Sequence, residues 1–207
     1  MVRRIMILAS NLKNIMIRIL IGCAVISCFG INKLTTIDEC HLLCWSANRK
    51  LEWNDFTGIP DTIVYTYYGG EADVISALSI LVEMDSLNNY IVFTAFNRNS
   101  SWYLDGKNKP LALEHEQGHF DLTEIFSRIL RKRIENEEYY NEEFDINQLY
   151  EEIMESLDSA QHEYEVATVH GSVDNTQEKW SKLIKEELES LDDYRDDRKD
   201  CPCNWKW

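Results

Sequence analysis

Positive charge is scarce in this 207-residue chain: 21 Lys and Arg stand against 36 Asp and Glu, a net charge of −15. Four of the basic residues, Arg3, Arg4, Lys13 and Arg18, fall within the first 28 residues, which hold no acid at all. Without that segment 17 basic residues face 36 acidic ones, a net charge of −19. Such a domain is excluded from binding nucleic acid through phosphate neutralisation, and its acidity reads as a solubilising surface. A long apolar run is missing too. The uninterrupted stretch Ile19–Ile31 is too short to cross a bilayer comfortably as a helix. Internal repeats and low-complexity linkers are absent, which leaves one compact domain with a sizeable core.

A basic leader followed by a short apolar run predicts an export signal over residues 1–28, with a retained amino-terminal anchor as the rival reading. Two tetrads, Leu20-Ile21-Gly22-Cys23 and Val25-Ile26-Ser27-Cys28, resemble bacterial lipoprotein processing sites. Of the two, Cys28 leaves the longer apolar run. A lipidated Cys28 would anchor the mature chain to a membrane in the periplasm or cell envelope, and ordinary signal cleavage is the competing outcome. Four cysteines remain beyond the leader: Cys40, Cys44, Cys201 and Cys203. An even set in an exported protein predicts disulfides between the two ends of the domain, with connectivity open and a metal-binding use of the same thiols as the alternative.

Residues 29–207 read as a single α+β domain, a small sheet followed by three helices. Residues 29–50 have no clear period and suggest a tether or first strand, and the segment from Trp53 to Asp61 suggests a packed loop. Ile63–Tyr68 and Tyr90–Phe96 are rich in β-branched and aromatic residues and predict strands, whereas Ile75–Met84 fits either strand or helix. Pro110 suits the first position of a long helix. A second helix is expected over Asp145–Ala167, with the stripe Ile146, Leu149, Ile153, Leu157, Ala160, Tyr164 and Ala167. The pair Asp145 and Gln148 resembles a capping box there. A third starts near Asp174 and is expected to bury Trp180, Leu183, Ile184, Leu188 and Leu191.

The chemistry lies at the start of the first helix, in His115-Glu116-Gln117-Gly118-His119. Imidazoles at i and i+4 stand on one helix face about a turn apart, so both can reach one metal ion. Chance alone gives this pattern in roughly one chain in a hundred of this length. The helical and exported context therefore has to support it. Glu116 follows the first ligand and is the expected general base, taking a proton from the attacking water. A catalytic zinc site needs a third protein ligand. Of the other histidines, His170 lies in the corner between the second and third helices and is the expected third ligand. Glu165 and Asp121 are its rivals, and His41 and His162 read as structural or solvent-facing. Tyr164 lies on the inward stripe, where it is a candidate donor to an oxyanion.

These residues also carry a resemblance. Leu51-x-Trp53-x-Asp55-Phe56-x-Gly58-x-Pro60-Asp61, Ser101-Trp102, Glu114 to Asp121, Tyr164-Glu165-x-x-Thr168-x-His170-Gly171, and then Gln177 and Trp180 occur in that order. Over about residues 45–185 the chain resembles the bacterial family of predicted secreted zinc-dependent proteases, a domain of unknown function numbered 922. The resemblance implies a zincin-like fold, export, and zinc held by His115, His119 and His170. One departure is the pair Tyr164-Glu165, where the family usually has Tyr-Asp.

The reading that follows is an exported zinc metallopeptidase acting on a peptide or protein substrate, with Glu116 as base. The alternative is a non-catalytic, zinc-containing envelope lipoprotein. A di-iron carboxylate bundle is disfavoured, because Glu116-x-x-His119 has no second Glu-x-x-His pair to accompany it.

Overall fold

Side chains along Tyr90–Asn97 alternate between two environments, and the fold is built on both faces of that strand. A computed structural model describes residues 40–61, 73–107, 109–140, 144–196 and 201–203. The leader with Cys23 and Cys28, and the expected strand Ile63–Tyr68, lie outside the described residues. The strands are β1 (Leu42–Cys44), β2 (Val74–Ile75), β3 (Leu78–Met84), β4 (Tyr90–Asn97) and β5 (Trp102–Tyr103). The helices are α1 (Pro110–Tyr140), α2 (Ile146–Thr168) and α3 (Asp174–Ser190). The chain is thus α+β, with two small antiparallel sheets ordered β1-β4-β3 and β2-β5.

The ambiguous stretch Ile75–Met84 is strand, not helix, because β4 pairs with β3 from Leu78↔Phe96 to Met84↔Tyr90. The turn joining them is closed by Asp85, whose carboxylate accepts from the backbone N–H groups of Leu87 and Asn89 at 2.8 and 2.9 Å. Along β4, Val92, Thr94 and Phe96 face the helices, while Phe93 and Ala95 face the other way. Phe96 packs with Phe56 and Phe120, and Val92 joins Leu130, Ile134 and the α2 residues Leu149, Ile153 and Leu157. On the opposite face Phe93 and Ala95 meet Leu42, Leu81 and the cysteines.

Helix α1 is the centre of the molecule. From His115 to Leu130 only Gln117, Phe126 and Ile129 are not fully buried. An amphipathic surface helix does not account for this, and the polar residues caught inside are paired. Glu124, 2 % exposed, accepts from Thr94 Oγ1 at 2.6 Å, Arg128 Nε at 2.9 Å and Arg131 Nη1 at 3.1 Å. Arg128 also donates to the Leu188 carbonyl near the end of α3, and Arg131 to the Val92 carbonyl of β4. The buried pair is satisfied on every side, as burial of charge requires.

The α2 stripe departs from expectation at its carboxyl end. Leu149, Ile153, Leu157 and Tyr164 are buried, but the buried places near the end are Gln161 and Thr168 rather than Ala160 and Ala167. Asp145 caps α2 by accepting from the Asn147 N–H at 2.9 Å, while the Gln148 side chain turns to Glu152 instead of completing a capping box. Leu183 of α3 is 56 % exposed, since Ile184 takes the inward place.

Both ends of the domain are joined through sulphur. Cys40 pairs with Cys203 and Cys44 with Cys201, at Cα separations of 5.0 and 5.4 Å. This bears out the expected bridging of the ends and removes the alternative of a thiolate metal site. Two disulfides fit an oxidising compartment. No helix among the described residues is long and apolar enough to cross a membrane.

The nesting of the two bridges gives a test. Either alone closes a loop spanning 163 or 157 residues, worth about 5 kcal/mol in the chain-entropy picture. Once one is made, the other closes a ring of only about 8 residues, worth roughly 2–3 kcal/mol. Replacing one Cys pair by Ala should therefore cost roughly 2–3 kcal/mol, and replacing both about 7–8 kcal/mol. Urea unfolding of the two single-pair variants and the four-Cys variant measures this. Strictly additive losses would contradict it.

Candidate metal centre

A single turn of buried helix brings His115 and His119 together, with ring centroids 4.5 Å apart and Nε2 atoms 3.0 Å apart. Opposite them α2 carries Glu165, whose Oε2 lies 2.9 Å from His115 Nε2 and 2.8 Å from His119 Nε2. Three ligand atoms from His115, His119 and Glu165 all lie within 4.8 Å of one another. Two imidazole nitrogens and a carboxylate oxygen form a donor set suited to a divalent transition metal ion. Glu165 is a partly exposed member of an otherwise buried group, so the cluster opens toward solvent on its side.

The support beneath the two rings is closely fitted. Tyr164, wholly buried, stacks on His115 with centroids 4.8 Å apart and planes 17° apart, and meets His119 edge-on at 4.8 Å. Its hydroxyl donates to the His115 carbonyl at 3.1 Å and accepts from Gln177 Nε2 at 2.6 Å. Gly118 allows this approach, because a Cβ there would lie 2.2 Å from the Tyr164 hydroxyl. The outer ring nitrogens are also engaged: His119 Nδ1 with Gln161 Oε1, and His115 Nδ1 with Gln177 Oε1 and Thr168 Oγ1, both at 3.3 Å.

The expected site residues separate into three groups. His115 and His119 lie side by side, and Glu116, next to His115 in the chain, is buried. Glu165, one of the two rivals, takes the place beside the imidazoles that His170 was expected to fill. The His170 ring is 58 % exposed and its Nδ1 meets Glu165 Oε1, the oxygen that faces away from the other two histidines. The reason lies in the backbone. Helix α2 runs on through Thr168 and carries Glu165 straight to the pair, and then Val169, His170 and Gly171 turn left-handed at φ 51°, 54° and 69°. A β-branched residue in that region is strained. The turn is held against the site, for a Cβ on Gly171 would lie 2.7 Å from the His115 Cβ.

Tyr164 is not positioned as an oxyanion donor: its hydroxyl proton is committed to a backbone carbonyl beneath the rings, and it serves as a platform. Burial pushes its pKa well above the usual phenol value, and the charges of Glu116, Glu114 and Glu165 add to this against the hydrogen bond from Gln177. Asp121 is engaged elsewhere, accepting from Trp45 Nε1 and Gln117 Nε2 at 2.7 Å each and pairing with Lys50 at 3.1 Å. His41 and His162 stand outside the cluster, as expected.

Glu116 is 7 % exposed, and among the described residues no hydrogen bond or ion pair holds its carboxylate. Its negative charge is nonetheless felt at the site. Burial alone would lower the pKa of His119, but the hydrogen bond to Glu165, the charges of Glu116 and Glu165, and the contact with Gln161 raise it. Burial of Glu165 opposes its ionisation, yet its hydrogen bonds to His115 and His119 and their charges hold it far below the usual carboxylate range.

Thr168 and Gln177 carry part of the resemblance but no site role by sequence, and Gln161 carries neither. The signal for Gln161 and Thr168 is a polar side chain continuing an apolar stripe, at positions 157, 161, 164 and 168 of α2. Comparison with protein-family models, with curated proteins and with solved structures finds no match to this chain.

Two predictions follow from the cluster. The His115→Ala, His119→Ala and Glu165→Ala variants should each bind zinc more than about 100-fold more weakly than wild type, whereas His170→Ala should stay within the roughly 10–100-fold range of groups behind a ligand. Competition with a chromophoric chelator measures all four, and a His170→Ala loss exceeding that of Glu165→Ala would reverse the assignment. The second concerns pH in the presence of excess chelator. The Glu165 contribution to stability is fully present above its unfolded pKa of 4.5 and is lost as pH falls below it. The His119 contribution is fully present below 6.5 and is lost as pH rises through its raised folded value. Thermal unfolding of metal-free protein should therefore show a stability maximum between 4.5 and 6.5, and Glu165→Gln should flatten it.

Proposed function

We propose that this chain is an exported zinc metallopeptidase with a zincin-like arrangement, similar to the secreted zinc-dependent protease family that its motifs resemble. The observation that carries the reading is the convergence of His115 Nε2, His119 Nε2 and Glu165 Oε2 beside a buried Glu116 whose carboxylate has no partner among the described residues. A site meant only for stability does not need Glu116. Zinc is the ion proposed, since histidine nitrogens with one carboxylate oxygen and an open side match its catalytic donor sets. When bound there it would act as a Lewis acid, polarising a carbonyl and easing ionisation of water.

The protein's own part is borne by Glu116. Its carboxylate accepts a proton from the water that attacks the peptide carbonyl and returns it to the departing amine nitrogen. His115, His119 and Glu165 hold position, Tyr164 fixes the plane of the His115 ring, and α1 is held in place by its buried contacts. Export is part of the proposal, supported by the basic leader and the two disulfides, and so is membrane attachment through a lipidated Cys28. The substrate is a peptide or protein.

The decisive variant is Glu116→Gln, which keeps the size of the side chain and cannot take the proton. It should fold, bind zinc as wild type does, and lose peptide hydrolysis by about 100-fold or more. A peptide library screened with zinc-loaded wild type supplies the substrate. Equal cleavage by wild type and Glu116→Gln would overturn the role given to this residue.

A further inference from the structure

Among the described residues, neither outer nitrogen of the two imidazoles meets a carboxylate, the partner often found behind a metal-binding histidine. Each meets a buried glutamine instead: Gln161 is 3 % exposed and Gln177 1 %. The hydrogen-bond chains behind them fix the direction of every donor, because each chain ends on a backbone carbonyl, which can only accept.

Behind His119, its own carbonyl accepts from Thr123 Oγ1 at 2.9 Å and from Gln161 Nε2 at 2.9 Å. With its one proton used there, Thr123 Oγ1 accepts the second N–H of Gln161 at 3.1 Å. Both amide protons of Gln161 are thereby engaged, and its Oε1 is the atom that meets His119 Nδ1. That nitrogen must carry the hydrogen.

Behind His115, Thr168 Oγ1 donates to the Tyr164 carbonyl at 2.7 Å and so can only accept from His115 Nδ1. The Tyr164 hydroxyl donates to the His115 carbonyl, so it accepts from Gln177 Nε2, which turns Gln177 Oε1 toward the same Nδ1.

On the inner side the Glu165 carboxylate pulls the other way. Its Oε2 lies 2.9 and 2.8 Å from the two Nε2 atoms, and a charged acceptor attracts an imidazole proton more strongly than a neutral amide does. Without the glutamines the Nε2–H form would be favoured, with hydrogen where a metal ion must bind. We infer that Gln161 and Gln177 are positioning residues that keep a proton on Nδ1 of His119 and His115, and so hold both Nε2 lone pairs available to a metal ion. They do so without adding negative charge behind the ligands. This rests on reading the cluster as a metal site.

The test separates hydrogen-bond acceptance from packing. Gln161→Leu removes both the acceptor and the donors, whereas Gln161→Glu keeps an acceptor for Nδ1 and loses the donors that tie α2 to the His119 carbonyl. Nitrogen-15 correlation spectra of the imidazoles, recorded with and without zinc, report which ring nitrogen bears hydrogen. Wild type should show slowly exchanging Nδ1–H signals for both histidines in both states. Gln161→Leu should lose the His119 signal in the metal-free protein and bind zinc about 10–100-fold more weakly. Gln161→Glu should recover both properties, and Gln177→Leu should affect the His115 signal in the same manner. Gln161→Glu failing like Gln161→Leu would assign Gln161 to packing alone and overturn the inference, as would an unchanged Nδ1–H signal in Gln161→Leu. If Gln161→Leu does not fold, the Gln177→Leu spectra and the Gln161→Glu affinity decide by the same criteria. Zinc failing to bind wild type would overturn the metal reading, leaving the metal-free spectra to decide the proton assignment.

Discussion

A long helix with almost no solvent-facing surface along its middle is the constraint on which this structure depends. Between His115 and Leu130 nearly every side chain of α1 is enclosed, and eight of the enclosed ones are polar or charged enough to require partners: His115, Glu116, His119, Asp121, Thr123, Glu124, Ser127 and Arg128. An unpaired polar group inside a protein costs more than a made hydrogen bond returns. Each neighbouring element is therefore held by what it offers to α1. The segment after β1 supplies Trp45 and Lys50 to Asp121, β4 supplies Thr94 to Glu124, α2 supplies Gln161 to His119, and α3 supplies Gln177 to His115. Packing and polar pairing act along the same lines, so the order of elements around α1 is specified twice.

Two groups on α1 differ from the rest. The inner faces of His115 and His119 meet each other and a carboxylate, an arrangement of three ligand atoms that could hold one shared cation. Glu116 lacks a hydrogen-bonding partner among the described residues. Both features lie within two turns of helix, next to the only strained backbone described beside the cluster, the left-handed residues Val169 and His170. Strain and incomplete pairing concentrate where a site must act rather than merely persist.

Much of the framework was legible in the sequence because it rests on periodicity. β4, the three helices, the bridging of the chain ends, and the approach of His115 to His119 all follow from spacing or composition. What was not legible depends on where one element meets another. The choice between Glu165 and His170 turns on how far α2 extends before the chain becomes left-handed, and neither valine nor histidine at 169 and 170 signals such a turn. Alanines at 160 and 167 complete a more apolar stripe than Gln161 and Thr168 do, although the folded helix buries the polar neighbours. Ile75–Met84 was ambiguous by its own pattern and was decided by pairing with β4. Tyr164 fell on the inward face, as its period required, but period carries no information about which acceptor its hydroxyl will find.

The two disulfides also determine how the molecule bears load. A pull applied at Cys40 and Cys203 passes directly between them through sulphur, and the second bridge repeats the connection four residues further in at Cys44. The 157-residue span between Cys44 and Cys201, with strands β2 to β5, all three helices and the candidate metal centre, is left outside the line of tension. Extension in an oxidising environment would stop at the sulphur links, and the histidine cluster would keep its geometry under forces that unravel an unbridged domain.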